Sequence, residues 1–349
     1  MTATARAPVI ETDAVVIGAG PVGLFQVFEL GLLGIHAHVI DSLPQAGGQC
    51  VALYADKPIY DIPGTPVCTG RELVARLLTQ IAPFNAPLHL DQQVDVVARQ
   101  DDGRFLVETS KGVRLLAKTV FIAGGVGSFQ PRRLKIADIA PHEGAQLFYS
   151  APELAQLDGQ NVVVIGDGDA ALACAAELAQ RRVSVTLMHR RDEFKAEPAL
   201  VERVQALRSS GQLRFVAAQP MGIEQIAGRL SALQVLGADG QNATLPLDVL
   251  IVLTGLSPKL GPIAEWGLAL ERKQLIVDTA SFETSTPGIF AVGDVNTYAG
   301  KRKLILCGFH EATLAAFAAA ARISGEPVHL EYTTTSPRLH RALGVTPAP

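Results

Sequence analysis

Short runs of apolar, largely β-branched residues alternate along this chain with longer stretches whose apolar positions recur every three or four residues. Val15-Val16-Ile17 is one such run, a helical pattern extends from Phe25 to Leu33, and His38-Val39-Ile40 forms the next run. Continuous apolar triplets predict strands buried on both faces, and the recurring pattern between them predicts a helix. The same order returns later: Val162-Val163-Val164-Ile165, a helix from about Ala170 to Gln180, then Ser184-Val185-Thr186-Leu187. Strands alternating with helices imply βαβ units on a parallel sheet. The glycine clusters that open the two units, at Gly18 and Gly166, lie 148 positions apart. That is too far for a solenoid period and right for a duplicated domain. Alternating segments Arg104–Thr109 and Leu115–Ile122 read as a hairpin in the first half, and Leu230–Leu236 with Asp248–Thr254 form a similar series in the second.

Composition narrows this picture. With 349 residues, 48% hydrophobic and 18% charged, the chain can bury two cores. A net charge of −4 offers no global basic field, so neither nucleic acid nor an anionic membrane is an expected partner. Glu11 and Asp13 precede the first apolar run, which is wrong for a secretory leader. The alanine-rich run Ala312–Ala321 is shorter than the ~18 residues a membrane span needs. The four cysteines, Cys50, Cys68, Cys174 and Cys307, show no close pairing, so neither a disulfide framework nor a metal site is expected. A cytoplasmic location follows as the expectation.

The first glycine cluster, Gly18-Ala19-Gly20-Pro21-Val22-Gly23, follows a strand directly and opens a helix. Gly18 permits a tight turn, Gly20 lets the backbone approach a pyrophosphate, and Gly23 allows close helix–strand contact. The free N–H groups and positive dipole end of the helix then face the phosphates. Asp41 ends the second strand 18 residues beyond Gly23, where a carboxylate accepts hydrogen bonds from ribose hydroxyls. The second cluster, Gly166-Asp167-Gly168-Asp169-Ala170-Ala171, repeats the pattern with Ala171 in the third position. Its second strand ends in His189-Arg190-Arg191 in place of an acid. Guanidinium groups bind a 2′-phosphate bidentately where a carboxylate would repel it, which favours NADPH over NADH. The plainer alternative is a solvated charge run, because Asp192 and Glu193 follow at once. The fold class expected is α/β, with two Rossmann-like nucleotide-binding domains of the three-layer ββα type, the second inserted into the first. The expected bounds are 1–125 with 283–349 for the outer domain and 126–282 for the inserted one.

The segment Thr286-Pro287-Gly288-Ile289-Phe290-Ala291-Val292-Gly293-Asp294 is a strand ending in Gly-Asp, with a helical pattern after Cys307-Gly308. Here the chain resembles the two-dinucleotide-binding flavoprotein reductases. The resemblance implies that Asp294 holds the ribityl chain of FAD and that the next helix points at the flavin. Thioredoxin reductases of this architecture carry a Cys-x-x-Cys before the second nucleotide fold, and Ile139 to Asp158 contains no cysteine. Glutathione-reductase-type enzymes carry paired cysteines near the first flavin segment, but Cys50 meets Ala55 at the partner position. The remaining resemblance, over essentially the whole chain, is to the thioredoxin-reductase-like class of ferredoxin–NADP⁺ reductases. It rests on Gly47-Gly48-Gln49, Leu53-Tyr54, Ile59 to Gly64, His189 to Asp192, the Gly-Asp motif and the tail Tyr332 to Ser336. It implies that Tyr54 stacks on the flavin, that the tail covers the other face through Tyr332, and that Gln49, Val94, Phe129 and Thr335 also touch the cofactor.

The resemblance further implies electron transfer between NADPH and ferredoxin or flavodoxin through FAD, a homodimer, and no residue acting as nucleophile or acid–base catalyst. An acidic carrier needs a local positive patch, for which Lys301-Arg302-Lys303 and Arg132-Arg133-Lys135 are candidates. Two alternatives stay open: an NADPH-dependent diaphorase, quinone or flavin reductase of the same fold, and a non-catalytic FAD- and NADPH-binding redox sensor.

Overall fold

The computed structural model describes residues 8–328 and 336–345, leaving aside the side chains of 128–130 and 256–258. Residue contacts divide the chain into two units: Met1–Ser128 with Lys259–Pro349, and Phe129–Pro258.

Unit 1 opens with strand β1 (Val9–Ile17), helix α1 (Pro21–Leu32) and strand β2 (Ala37–Ile40). Residues Ala14 to Ile17 pair in parallel with Ala37 to Ile40, the register of a βαβ unit. The helix begins four residues before its apolar periodicity does, because Pro21 occupies the first turn, where a missing N–H costs nothing. The short helix α2 (Gly48–Ala52) leads toward α3 (Gly70–Ile81). Thr69 accepts from the Glu72 amide while Glu72 accepts from the Thr69 amide, a reciprocal cap worth about 1 kcal/mol. Strands β3 (Leu88–His89), β4 (Val94–Arg99), β5 (Phe105–Thr109) and β6 (Arg114–Ile122) complete this half. The order across the sheet is β3-β2-β1-β6-β5-β4, with β1 and β6 parallel and β4 to β6 an antiparallel meander.

Unit 2 contains strands β7 (Leu147–Phe148) and β8 (Asn161–Ile165), helix α4 (Asp169–Leu178), strand β9 (Ser184–His189) and helix α5 (Pro198–Ser209). A meander of β10 (Arg214–Ile226), β11 (Arg229–Gly237) and β12 (Asn242–Pro246) follows, and β13 (Val249–Val252) returns beside β8. Its sheet runs β7-β13-β8-β9-β10-β11-β12. Two apolar clusters, one around Leu172, Leu187 and Ile251 and one around Met188, Leu233 and Leu250, cover its two faces.

The chain then rejoins unit 1 through β14 (Gln274–Ile276), β15 (Ile289–Ala291), β16 (Asn296–Thr297), α6 (Ile305–Ser324) and α7 (Pro337–Leu343). Strand β15 pairs in parallel with the end of β6. The order β15-β6-β1-β2-β3 in unit 1 therefore matches β7-β13-β8-β9-β10 in unit 2. The duplication read from the glycine clusters is a duplication of sheet topology.

The expected return to the outer domain at residue 283 is corrected to 259. Ile263, Leu268, Leu275, Val277 and Phe282 are buried in the core of unit 1, and β14 pairs in parallel with β16. Strands of two or three residues carry no periodicity, so the sequence pattern could not place this segment. Among the described residues no helix is long and apolar enough to cross a membrane.

Candidate cofactor sites

In unit 1 the turn after β1 requires glycine for two separate reasons. Gly18 has φ +114°, and a Cβ there would stand 2.4 Å from the Ala123 carbonyl oxygen. A Cβ on Gly23 would stand 1.8 Å from the Gly18 carbonyl oxygen, so α1 closes on the turn only without a side chain. Gly20 is different: the nearest atom to a Cβ would be the Gly48 Cα at 3.9 Å. Gly48, at φ +53°, in turn faces Gly20, and the Gly47 amide donates to the Ala19 carbonyl at 2.8 Å. Two glycine loops thus meet backbone to backbone beside the start of α1. No side chain caps the first amides of α1 at Gly20, so the positive end of the helix is left for a ligand's phosphates.

Asp41 at the end of β2 is nearly buried. Its Oδ2 accepts the Ala19 amide at 2.6 Å and its Oδ1 accepts the Leu43 amide at 2.8 Å. Burial pushes its pKa above the ordinary carboxylate value, opposed by these two amide bonds. The carboxylate therefore buttresses the glycine turn, a role beyond the expected one, and each oxygen keeps a lone pair for a hydroxyl donor.

Gln49 lies across from Gly125, where a Cβ would stand 3.0 Å from its Nε2. Tyr54 is half-buried with its hydroxyl 3.8 Å from the Cys50 thiol, which donates to it. Burial, with Cys50 and the charge of Asp294 adding to it, pushes the Tyr54 pKa up to about 12. Burial also raises Cys50 and Asp294, the latter opposed by Lys301 and Lys303. Asp294 thus lies within electrostatic reach of both Tyr54 and Cys50, so the fold gathers residues that are 240 positions apart. Val94 sits at the start of β4, paired with Thr109 and buried in the core, 4% exposed. The Phe129 side chain, Tyr332 and Thr335 lie outside the described residues. The described end of the tail, α7, packs on α1, where Arg338 donates to the Leu33 carbonyl at 3.4 Å, at the opposite end of that helix from the glycine turn.

The Gly293-Asp294 turn is held by residues that sequence reasoning missed. Glu311, fully buried on α6, accepts from the Gly293 amide at 2.7 Å and from Asn296, Tyr298 and Lys301. The available signal was a lone acid leading an alanine-rich helical run. Lys301 is 8% exposed, which corrects its expected place in a docking patch; Arg302 and Lys303 remain exposed. In the other patch, Arg133 is ion-paired with Glu143 and lies over the Tyr149 ring, while Arg132 and Lys135 are exposed.

In unit 2, Gly166 opens the turn after β8, and a Cβ there would stand 2.5 Å from both the Ala171 Cβ and the Leu253 carbonyl oxygen. Ala171 is fully buried against this turn, so the third position accepts a methyl group and nothing larger. Gly168 caps α4 without a side-chain partner, and a Cβ there would meet the Lys195 carbonyl oxygen at 3.8 Å, an ordinary contact. His189 ends β9, its Nε2 3.7 Å from Asp167 and its Nδ1 3.1 Å from the Arg191 carbonyl oxygen. Arg190 and Arg191 are exposed and make no ion pair among the described residues. The neighbouring acid is already engaged: Asp192 takes both guanidinium nitrogens of Arg208 at 2.8 Å, and that guanidinium lies 4.5 Å above the Phe215 ring. Asp192 is thus paired with Arg208 and not with the two arginines beside it. All four cysteines are free, three of them buried.

This arrangement defines a two-nucleotide oxidoreductase, and the chain belongs to the pyridine nucleotide-disulphide oxidoreductase family, whose model matches residues 12–320. More particularly, it is 57% identical over 349 residues to the ferredoxin–NADP reductase of Methylibium petroleiphilum, covering 99% of this chain and 95% of that one. The ferredoxin–NADP reductase of Paracidovorax citrulli is 59% identical over 354 residues, covering 98% and 99%. Among solved structures, the bacillithiol disulfide reductase Bdr of Staphylococcus aureus superposes with a TM-score of 0.62 at 16% identity, covering 90% of this chain and 99% of that one. Thioredoxin reductase of T. acidophilum gives 0.57 at 21%, with the same coverage. These two share the fold.

Proposed function

We propose that this chain is a ferredoxin–NADP reductase that holds FAD in unit 1 and NADP(H) in unit 2. The observation that carries the reading is identity of 57–59% along nearly the whole chain to reductases of that name. In unit 1, Gly18, Gly20 and Gly23 with the start of α1 receive the pyrophosphate, Asp41 a ribose, and Asp294 the ribityl chain. Gln49, Tyr54, Val94, Tyr332 and Thr335 complete the flavin contacts within this unit. In unit 2, Gly166, Gly168 and Ala171 admit the second pyrophosphate at α4, and His189, Arg190 and Arg191 receive the 2′-phosphate. FAD held in unit 1 would supply the means to take a hydride from NADPH and to pass its two electrons on one at a time. The chain binds, orients and screens the cofactors, and none of its side chains acts as nucleophile or proton donor. The start of α1 supports the FAD assignment, because no side chain of the protein caps the amides that a pyrophosphate would take there.

The carrier is an acidic ferredoxin or flavodoxin. Arg302 and Lys303, exposed beside the Gly-Asp turn, suit it by charge. The working protein is a cytoplasmic homodimer. Anaerobic titration of the purified yellow protein tests the reading: NADPH bleaches the flavin, and oxidised ferredoxin or flavodoxin restores the colour. Bleaching reversed only by quinones or free flavins would make the protein a diaphorase, and absence of bleaching would make it a redox sensor.

A further inference from the structure

The Glu311–Lys301 pair in unit 1 is larger than an ordinary structural contact. Oε2 of Glu311 accepts the Gly293 amide at 2.7 Å and Asn296 Nδ2 at 2.8 Å. Oε1 accepts the Tyr298 hydroxyl at 2.9 Å and Lys301 Nζ at 2.5 Å. Lys301 Nζ also donates to the Gly293 carbonyl at 2.8 Å and lies 5.3 Å from the Tyr298 ring centre. Asn296 passes the linkage on to the Ala291 carbonyl at the end of β15. One ion pair thereby holds both the N–H and the C=O of Gly293, whose φ of +79° takes the turn out of the strand. On α6, Gly308 closes against the same turn: a Cβ there would stand 3.4 Å from the Gly293 Cα and 2.4 Å from Val22.

Stability alone does not account for such a pair. Desolvating two charges costs several kcal/mol each, and a well-packed apolar pair commonly does as well. What an apolar pair lacks is a donor for the Gly293 carbonyl, an acceptor for its amide, and a balanced charge beside Asp294. We propose that the buried Glu311–Lys301 pair is the positioning device for Asp294, and that the balance of its two charges sets the field at the flavin end of the site. The inference rests on the FAD reading of unit 1. Asp294 holds the ribityl chain at the height this pair fixes, and α6 meets the flavin with its N-terminus at the spacing Gly308 allows.

The test uses the holoenzyme with E311Q, K301M and the double variant, measuring FAD release on dilution and the flavin midpoint potential by dye equilibration. E311Q leaves an unbalanced cation and shifts the potential positive; K301M leaves an unbalanced anion and shifts it negative. Each releases FAD at least about tenfold faster, since each removes charge-assisted hydrogen bonds from the turn. The double variant brings the potential back toward the parent value while FAD stays loosely held. Shifts of the same sign, or parental potential and FAD release in either single variant, overturn the proposal. If E311Q does not fold, K301M decides it alone: a negative shift supports the proposal, and no shift or a positive one overturns it. A folded parent protein that takes up no FAD fails the cofactor reading itself, whereas a parent that carries FAD with unresponsive variants fails only this inference.

Discussion

Arg190 and Arg191 are the two cations at the end of β9 that the chain does not use for itself, because Arg208 takes Asp192. Replacing both by Ala removes charge-assisted contacts of about 1.5–3 kcal/mol each and raises KM for NADPH at least about tenfold, with KM for NADH little changed. Steady-state kinetics with the two nucleotides check this; equal losses for both would show that the arginines do not read the 2′-phosphate. Tyr54 makes a prediction with pH. Its folded pKa of about 12 lies above the ordinary 10, so the unfolded chain ionises first as pH rises. Its contribution to stability is therefore full below pH 10 and is lost as pH climbs toward about 12. Denaturant titrations across that window, repeated with Tyr54→Phe, should show a shallower fall in the variant.

At the scale of elements, the three glycines of the first turn separate fold from binding. Gly23→Ala drives a Cβ into the Gly18 carbonyl and costs roughly 3 kcal/mol, read by urea unfolding. Gly20→Ala meets only the Gly48 Cα at 3.9 Å, so the fold survives while the methyl group stands where a pyrophosphate would approach the turn. That variant should keep its unfolding midpoint without added cofactor and lose most of its FAD. Full FAD retention in Gly20→Ala would remove the pyrophosphate from this turn. The βαβ units were legible because they depend on local order, with apolar triplets making the parallel strands, whereas apolar periodicity alone put the start of α1 four residues late, at Phe25 and not at Pro21. Glu311 was legible only as an odd acid in an apolar helix. Its partners Asn296, Tyr298 and Lys301 lie on the loop that α6 folds back against, and no periodicity announces a loop.

For the whole molecule, the boundary at residue 258 has a direct consequence. The fragment 129–258 carries both of its own apolar clusters and should unfold in one cooperative transition by calorimetry. The fragment 126–282 adds Leu275, Val277 and Phe282, which are buried only in unit 1, and should aggregate. Equal behaviour of the two fragments would argue against the corrected boundary. With an acidic carrier, turnover should fall as salt rises, and it should fall less in a variant lacking Arg302 and Lys303.

The two glycine turns, their strands and helices, and the contrast between Asp41 and His189-Arg190-Arg191 were fixed by residues close together in sequence. Turn geometry and apolar periodicity are local, so the chain states them outright. Tertiary structure alone decided that Asp41, expected to accept from ribose hydroxyls, also braces the glycine turn, that Asp192 is occupied by Arg208, and that 259–282 belongs to unit 1. It alone decided that Lys301 turns inward to Glu311. Each of these depends on which charges become buried together, and a buried carboxylate must find its donors wherever the fold has brought them.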